Sequence, residues 1–130
     1  MATGIDTNVL LELLVRRDVG ALTERAAHAV GEAEKPIRIA DIVLAEAVWV
    51  MERTYRFDRS GIVNFLDELL ALPDVTFADR TAVEVSLERY RKGGPGFADH
   101  LIGISNARAG CGTTLTFDKA AARTEGFRQA

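Results

Sequence analysis

The amino-acid sequence predicts an α/β protein with a parallel sheet. Short β-like runs recur along the chain, and each is followed by a segment whose apolar residues have helical spacing. The 130 residues, 48% of them hydrophobic and 27% charged, have the size and composition of one globular domain. No internal repeat or low-complexity tract divides the chain. We therefore expect a single domain over residues 1–130.

The strands and helices can be placed from local patterns. The strands are predicted at runs rich in Val, Ile, Thr and Phe: Thr3–Ile5, Ile37–Ala40, Val75–Ala78 and Thr113–Phe117. A last strand near residues 126–130 is expected to be abbreviated. The helices are predicted over the periodic segments Asn8–Val15, Gly20–Ala33, Ile42–Thr54, Arg59–Leu72, Arg80–Arg91 and Phe97–Ala109. A further helical segment, Lys119–Arg123, would follow Asp118 if that acid is an N-cap. Asp41, Asp58 and Asp79 directly precede such segments, which indicates N-caps.

Composition excludes several classes of protein. The longest apolar runs fall far short of the ~18 residues that span a bilayer, and no basic-then-apolar leader begins the chain, so we expect a cytoplasmic location. The single cysteine, Cys111, forms neither an internal disulfide nor a zinc cluster and is interpreted as a small loop residue. The glycine-rich run at 93–96 lacks the third glycine of a dinucleotide-binding fingerprint.

Two carboxylates directly follow predicted strands. Asp6 ends the first strand, and Asp118 ends the strand Thr113–Phe117. The carboxyl ends of parallel strands form the crevice in which α/β proteins bind ligands, so both positions favour a functional role. Each acid also has an alternative role, as the N-cap of the helix that follows it.

A third carboxylate, Glu46, is the only charged residue among the ten from 42 to 51. We expect this helix to be apolar all round and largely buried. Glu46 shares the stripe of Ile42, Trp49 and Val50, where an unpaired carboxylate would cost several kcal/mol. The alternative to a functional role is a buried pair with an arginine such as Arg53.

The fourth carboxylate, Asp99, lies on the first turn of a predicted helix, on the face of Ile102 and Asn106. Its alternative role is that of an acid favoured by the helix dipole. In a doubly wound sheet, all four acids can converge on one crevice, where they would repel each other unless a cation lay between them. All-oxygen ligation is typical of Mg²⁺ or Mn²⁺, so the set predicts a divalent metal.

The acids and their neighbours resemble the PIN-domain family, and specifically its VapC-type toxins. The resemblance rests on Asp6-Thr7-Asn8-Val9-Leu10, Glu46 in the Trp-bearing helix, Asp99-His100-Leu101-Ile102 and Thr116-Phe117-Asp118. The successive acids are 40, 53 and 19 residues apart, and the ordered set covers nearly the whole chain. The resemblance implies a three-layer α/β/α domain with a short central parallel sheet of four to five strands.

The resemblance also implies a function. Such a protein would be a metal-dependent endoribonuclease, the toxin of a type II toxin–antitoxin system, and would cleave structured RNA of the tRNA or rRNA class. The catalytic and metal-binding residues would be Asp6, Glu46, Asp99 and Asp118, supported by Asn8 and Thr116, with Mg²⁺ or Mn²⁺ as cofactor. The expected partners are the RNA, a VapB-like antitoxin whose peptide fills the pocket, and a second copy in a homodimer that can join a larger toxin–antitoxin complex.

Two other classes of function fit part of the pattern. Asp6 could be the nucleophile of a phosphohydrolase or phospho-acceptor domain, because haloacid-dehalogenase and receiver folds place an aspartate after the first strand. The former needs a second aspartate at position 8, where this chain has Asn8. The second alternative is that the protein is a catalytically silent scaffold that keeps the fold. Neither alternative explains all four acids as well.

The charge balance bears on RNA binding. The net charge of −3 opposes a polyanion, but neutralising four acids with metal leaves 15 acidic against 16 basic residues, 13 of which are arginine. Aromatic residues make up only 7% of the chain, so readout of RNA shape is favoured over base stacking. The candidate phosphate contacts are Arg16, Arg17, Arg53, Arg56, Arg89, Arg91, Lys92 and Arg108.

The homodimer is also indicated by apolar residues on two successive helices. These are Trp49, Val50, Phe65, Leu66, Leu69 and Leu70, more than one small sheet face needs. The alternative is that they fill the core of one protomer.

Overall fold

The structure, a computed structural model, describes residues 1–16 and 20–130 and forms two compact units, Met1–Ala78 and Asp79–Ala130. Both units combine helices with parallel strands, so the α/β class is confirmed. The strand count per sheet is smaller than expected, because the described strands form one sheet of three and another of two. The ladders are only two or three residue pairs long, shorter than the predicted runs. The single domain over residues 1–130 stays a prediction.

The first unit contains three parallel strands in the order β1-β2-β3. The strands are β1 (Thr3–Gly4), β2 (Ile37–Ile39) and β3 (Val75–Phe77). Each crossover between neighbouring strands passes through two helices: α1 (Thr7–Leu14) and α2 (Ala21–Glu32), then α3 (Asp41–Arg53) and α4 (Arg59–Ala71). Such crossovers are what parallel pairing requires. They also place Asp6 at the carboxyl end of the sheet.

Helix α3 is buried on one side only, so the prediction that this helix is largely buried is wrong. Val43, Leu44, Ala47, Val48 and Met51 are buried. The opposite stripe meets solvent: Ile42 is 76% exposed and Trp49 is 55% exposed. The sequence shows that both stripes are apolar, but α3 has packing neighbours for only one of them, and these include α1 and α4.

The apolar residues of α4 are buried or half-buried, unlike the exposed stripe of α3. Phe65, Leu66 and Leu69 are buried in the structure of the single chain, and Leu70 is half-buried. These residues therefore fit the alternative that they fill the core of one protomer. Of the apolar set that predicted a dimer, Trp49 is the exposed member.

Two of the three predicted N-caps are confirmed. Asp58 accepts a hydrogen bond from the N–H of Gly61 at 2.9 Å, and Asp79 accepts one from the N–H of Ala82 at 3.2 Å. The prediction for Asp41 is wrong by one residue, because Ala40 is the N-cap and Asp41 is the first helical residue. Strand β2 ends at Ile39, so one extended residue suffices for the turn, and the acid lies in the first turn, where the helix dipole favours it.

The second unit begins with two helices, α5 (Arg80–Arg91) and α6 (Phe97–Arg108). A short parallel pair follows, β4 (Thr114–Thr116) and β5 (Phe127–Gln129), connected by α7 (Lys119–Ala122). Arg108, at the end of α6, forms an ion pair with Asp79, the N-cap of α5. The hydrogen bond from the Arg108 guanidinium is the main cause that lowers the pKa of Asp79.

Two further observations concern composition. Cys111 is exposed, in agreement with its interpretation as a loop residue. The longest helices of the described chain have 13 residues, and none is long and apolar enough to cross a membrane.

The close approach of Gly103 to Phe127 predicts a matched pair of stability effects. A Cβ atom at Gly103 would lie 2.7 Å from Cζ of the Phe127 ring, so Gly103→Ala is expected to destabilise the protein by about 1–3 kcal/mol. Gly31 lies in helix α2 with nothing within 4 Å of its added Cβ, so Gly31→Ala is expected to stabilise by about 0.5–1 kcal/mol. Urea unfolding of both variants measures the difference. Equal effects would contradict the close packing of Gly103 on Phe127.

Candidate functional site

Asp6 occupies the predicted position after the first strand. It is the N-cap of α1, with extended backbone angles, and its Oδ1 accepts a hydrogen bond from the N–H of Val9 at 3.0 Å. The capping role considered as an alternative is therefore real. It does not exclude a second role, because that bond uses one carboxylate oxygen and the side chain is exposed.

Glu46 lies beside the residue that follows Asp6. The hydroxyl of Thr7, which is buried, donates a hydrogen bond to Oε1 of Glu46. Glu46 itself is exposed, so its predicted burial is wrong, for the same reason that its stripe of α3 meets solvent. The alternative pair with Arg53 is replaced by another contact, since the guanidinium of Arg53 lies 5.7 Å from the centroid of the Trp49 ring.

The two acids of the second unit are also held by backbone N–H groups. Asp99 is half-buried on the first turn of α6, and its Oδ2 accepts from the N–H of Gly96 at 3.2 Å. Asp118 is exposed and caps α7, where its Oδ1 accepts from the N–H groups of Ala120 at 2.8 Å and Ala121 at 3.2 Å. Each carboxylate is thus fixed through one oxygen.

One hydrogen bond joins the elements that carry Asp99 and Asp118. The amide of Asn106, near the end of α6, donates to the hydroxyl of Thr114, at the start of β4, at 3.1 Å. Asp99 is seven residues before Asn106, about 10.5 Å along the helix axis. Asp118 is four residues beyond Thr114. We expect β4 to run back along α6, as strands and helices do in α/β units, which would bring both acids to one end.

The predicted supporting residues make specific contacts. The hydroxyl of Thr116 accepts a hydrogen bond from the N–H of Asp118 at 3.0 Å, which holds the turn that carries this acid. The amide oxygen of Asn8 accepts from Arg16 at 3.4 Å, along the exposed side of α1. Their support of a catalytic pocket stays a prediction.

The first unit thus brings Asp6 and Glu46 near each other through Thr7. The convergence of all four acids on a single crevice remains an expectation from sequence. Across residues 1–16 and 20–130, no three histidine, cysteine, aspartate or glutamate side chains form a group that could hold a metal ion. The donors at the four positions are all carboxylate oxygens, the type that Mg²⁺ and Mn²⁺ prefer.

Most of the candidate phosphate-binding arginines already contact other side chains. Arg16 donates to Tyr55, and Arg89, Arg91 and Arg108 form ion pairs with Glu125, Glu88 and Asp79. Arg17 lies outside the described residues. His100 is 4% exposed and is part of the buried core.

Thr7 is the residue that sequence reasoning missed. It lies between Asp6 and Asn8, which were both singled out, and only the fold shows that its hydroxyl reaches Glu46, 39 residues away. The available signal was a small polar residue in the first turn of an apolar helix, directly after the acid at the strand end.

The family model of the PIN domain matches residues 5–126. The match covers nearly the whole chain, including all four acids, so the chain belongs to the PIN-domain family. PIN domains are in general nucleases, which defines the class of activity as phosphodiester hydrolysis. No curated protein matches the chain.

Removal of the Thr7 hydroxyl is expected to lower nuclease activity through Glu46. Thr7→Val keeps the shape of the side chain but loses the hydrogen bond to the carboxylate, a bond worth about 1.5–3 kcal/mol. We therefore expect kcat to fall at least ~10-fold. Thr7→Ser keeps the hydroxyl and should stay within about threefold of the parent. Initial rates on bulk tRNA, with melting temperatures as the folding control, measure both. Equal rates for the valine and serine variants would contradict the positioning role.

Proposed function

We propose that this PIN-domain protein is the toxin of a type II toxin–antitoxin system, a Mg²⁺- or Mn²⁺-dependent endoribonuclease that cleaves structured RNA of the tRNA or rRNA class. The observation that best supports the proposal is the link between two of the acids. Asp6 is followed directly by Thr7, whose hydroxyl donates to the carboxylate of Glu46.

The donor set fits the cation that the family implies. Asp6, Glu46, Asp99 and Asp118 would hold it, and three of them are fixed by backbone N–H groups through one oxygen while the other oxygen lies outside these bonds. A divalent cation bound there activates water and offsets the charge that develops on a phosphodiester during hydrolysis. The chain's own contribution is preorganisation, because Thr7 orients Glu46 and Thr116 orients the turn at Asp118.

The test of this function uses the full chain and bulk tRNA and rRNA. We expect cleavage into discrete fragments with Mg²⁺ or Mn²⁺ and none in excess EDTA. Cleavage undiminished by EDTA would contradict the metal dependence. Trapping of an aspartyl phosphate on Asp6 would favour the phosphohydrolase alternative. Metal binding without any RNA cleavage would favour a silent scaffold.

The toxin role is tested in cells and in the genome. Expression of the chain should arrest growth, and co-expression of the gene immediately upstream should restore it. We expect that gene to encode a small protein with a DNA-binding N-terminal half and a polar tail. Growth unaffected by an active ribonuclease would contradict the toxin role and leave the nuclease activity standing.

The homodimer is proposed on the exposed stripe of α3. Trp49 and Ile42 leave apolar surface in solvent next to the Arg53 guanidinium, and pairing of two copies would bury it. Sedimentation at micromolar concentration is expected to give twice the 14.2 kDa protomer mass, and Trp49→Ala should shift the protein toward the protomer. Particles of 14.2 kDa alone would refute the dimer.

A further inference from the structure

Two cavities adjoin between α1 and α2 in the first unit. One, of about 430 Å³, is lined by Asp6, and the other, of about 490 Å³, is lined by Arg16 and Arg25. Val9 and Ala29 line both cavities. The two cavities therefore adjoin at Val9 and Ala29, and together we call them the α1–α2 groove, which extends from the candidate catalytic carboxylate to a basic end.

The direction and length of the groove follow from the helices. The hydroxyl of Thr23, near the beginning of α2, donates to Glu12 in the second half of α1 at 2.9 Å, so the two helices are antiparallel. From Val9 to the end of α1 at Leu14 the groove follows five residues of helix, about 7.5 Å at the helical rise, and Arg16 lies beyond that end. This length continues away from Asp6 and admits more than the phosphate that would be cleaved there.

The basic end of the groove carries an uncompensated positive charge among the described residues. Arg16 lies 3.5 Å from the carboxylate of Glu12, a side chain that is itself buried, so these two charges offset each other. Arg25 is exposed and adds a guanidinium that can contact an anion.

The wall of the groove beside Arg25 is apolar. Leu22, which is 55% exposed, lines it together with Ala26, Ala29 and Val9. An apolar wall next to a guanidinium matches the two parts of a nucleotide, a base with an apolar face and an anionic phosphate. The cavity of about 490 Å³ also falls within the range typical of small-ligand sites, about 300–1,000 Å³.

We propose that the α1–α2 groove binds the RNA nucleotide adjacent to the phosphate cleaved at Asp6, with its base against Leu22 and Ala29 and its phosphate at Arg25. This assignment rests on the proposed ribonuclease function and adds a substrate subsite to it. An unstacked base is available in loops and bulges of folded RNA, so the groove predicts cleavage in such segments and not in continuous helices.

The first test fills the groove without disturbing the core. Ala29 is an exposed residue that lines both cavities, whereas Ala27 is an exposed alanine on the same helix that lines neither. Ala29→Phe is expected to raise Kd for bulk tRNA in EDTA, and KM for its cleavage in Mg²⁺, by ~10-fold, with kcat within ~2-fold. Ala27→Phe should change neither value by more than ~2-fold.

The second test removes the charge. Arg25→Ala is expected to weaken tRNA binding several-fold. The slope of log K against log salt should become shallower by about one, the change expected for the loss of one phosphate contact. Arg38→Ala, at an exposed position on β2, is the matched control and should leave the slope unchanged. The comparison of Arg25→Ala with Arg38→Ala still tests the RNA subsite if the Ala29→Phe variant fails to fold.

The outcomes of these tests distinguish a failure of the proposed RNA subsite from a failure of the proposed ribonuclease function. If the parent cleaves tRNA and neither Ala29→Phe nor Arg25→Ala changes Kd or KM, the groove assignment is overturned and the ribonuclease remains. If the parent neither binds nor cleaves RNA, the proposed function falls and the subsite falls with it. The third outcome concerns the protein encoded by the upstream gene. If Ala29→Phe weakens the binding of that purified protein but leaves tRNA binding unchanged, the groove is a protein-docking site and the RNA assignment is overturned.

Discussion

Asp6→Asn is expected to lower RNA cleavage by about 10²–10³-fold while the protein stays folded. The asparagine oxygen can accept the hydrogen bond from Val9 as the carboxylate does, and Asn caps helices about as well as Asp. The substitution therefore removes charge and little else. Initial rates on bulk tRNA in Mg²⁺ measure the loss, and we expect comparable losses for Glu46→Gln, Asp99→Asn and Asp118→Asn.

The matched control for this prediction is Asp58→Asn. Asp58 is an exposed N-cap that accepts from the N–H three residues on, the same local geometry as Asp6, and it lies at the start of α4, outside the predicted set of ligands. The RNA cleavage rate of the Asp58→Asn variant should equal that of the parent. Losses below ~10-fold at all four predicted sites, or a loss at Asp58 as large as at Asp6, would show that the chosen acids are not the catalytic ones.

Asp99→Asn is expected to raise the melting temperature of the metal-free protein and to abolish most of its response to metal. The predicted site gathers Asp99 with three other carboxylates, and such a site stores repulsion when no cation is bound. With metal at ten times its dissociation constant, the parent should gain ~1.4 kcal/mol, or about 3–5 °C. The variant should gain little. Melting curves with EDTA and with millimolar Mg²⁺ measure both effects.

A purely structural Asp99 predicts a different result. Its Oδ2 accepts from the N–H of Gly96, and asparagine can provide an oxygen to the same donor. In that case the substitution is near neutral, and the metal response of the variant equals that of the parent. This comparison distinguishes a ligand from a cap without knowledge of the RNA substrate.

Much of the fold could be predicted because its elements are marked by local chemistry. Helix α5 begins and ends at the predicted residues, Arg80 and Arg91, since Asp79 caps one end and a glycine loop follows the other. The burial of α3 could not be predicted, because its apolar composition does not reveal that only one of its two apolar stripes has a packing neighbour. The Asp41 cap failed by a single residue, a difference that depends on the backbone angles of Ala40 and not on residue type.

In the candidate site, too, local features could be predicted from the sequence and contacts between distant residues could not. The positions of Asp6 and Asp118 after strands and of Asp99 on a first turn could be read from sequence, because strand ends and helix starts are local features. The contact between Thr7 and Glu46 joins residues far apart in the chain, and it depends on how α1 packs on α3. The α1–α2 groove likewise needs the antiparallel packing of two helices, which no local pattern encodes.

Three of the candidate acids bind backbone N–H groups at the starts of helices, and this has a genetic consequence. An aspartate codon becomes an asparagine codon by a single transition at its first base, and at Asp6, Asp99 or Asp118 the new amide can still accept the backbone hydrogen bonds that the carboxylate accepts now. One base change is therefore expected to silence the nuclease and leave a folded protein. Cells under selection against this activity should yield such point mutants, with the full-length protein still present.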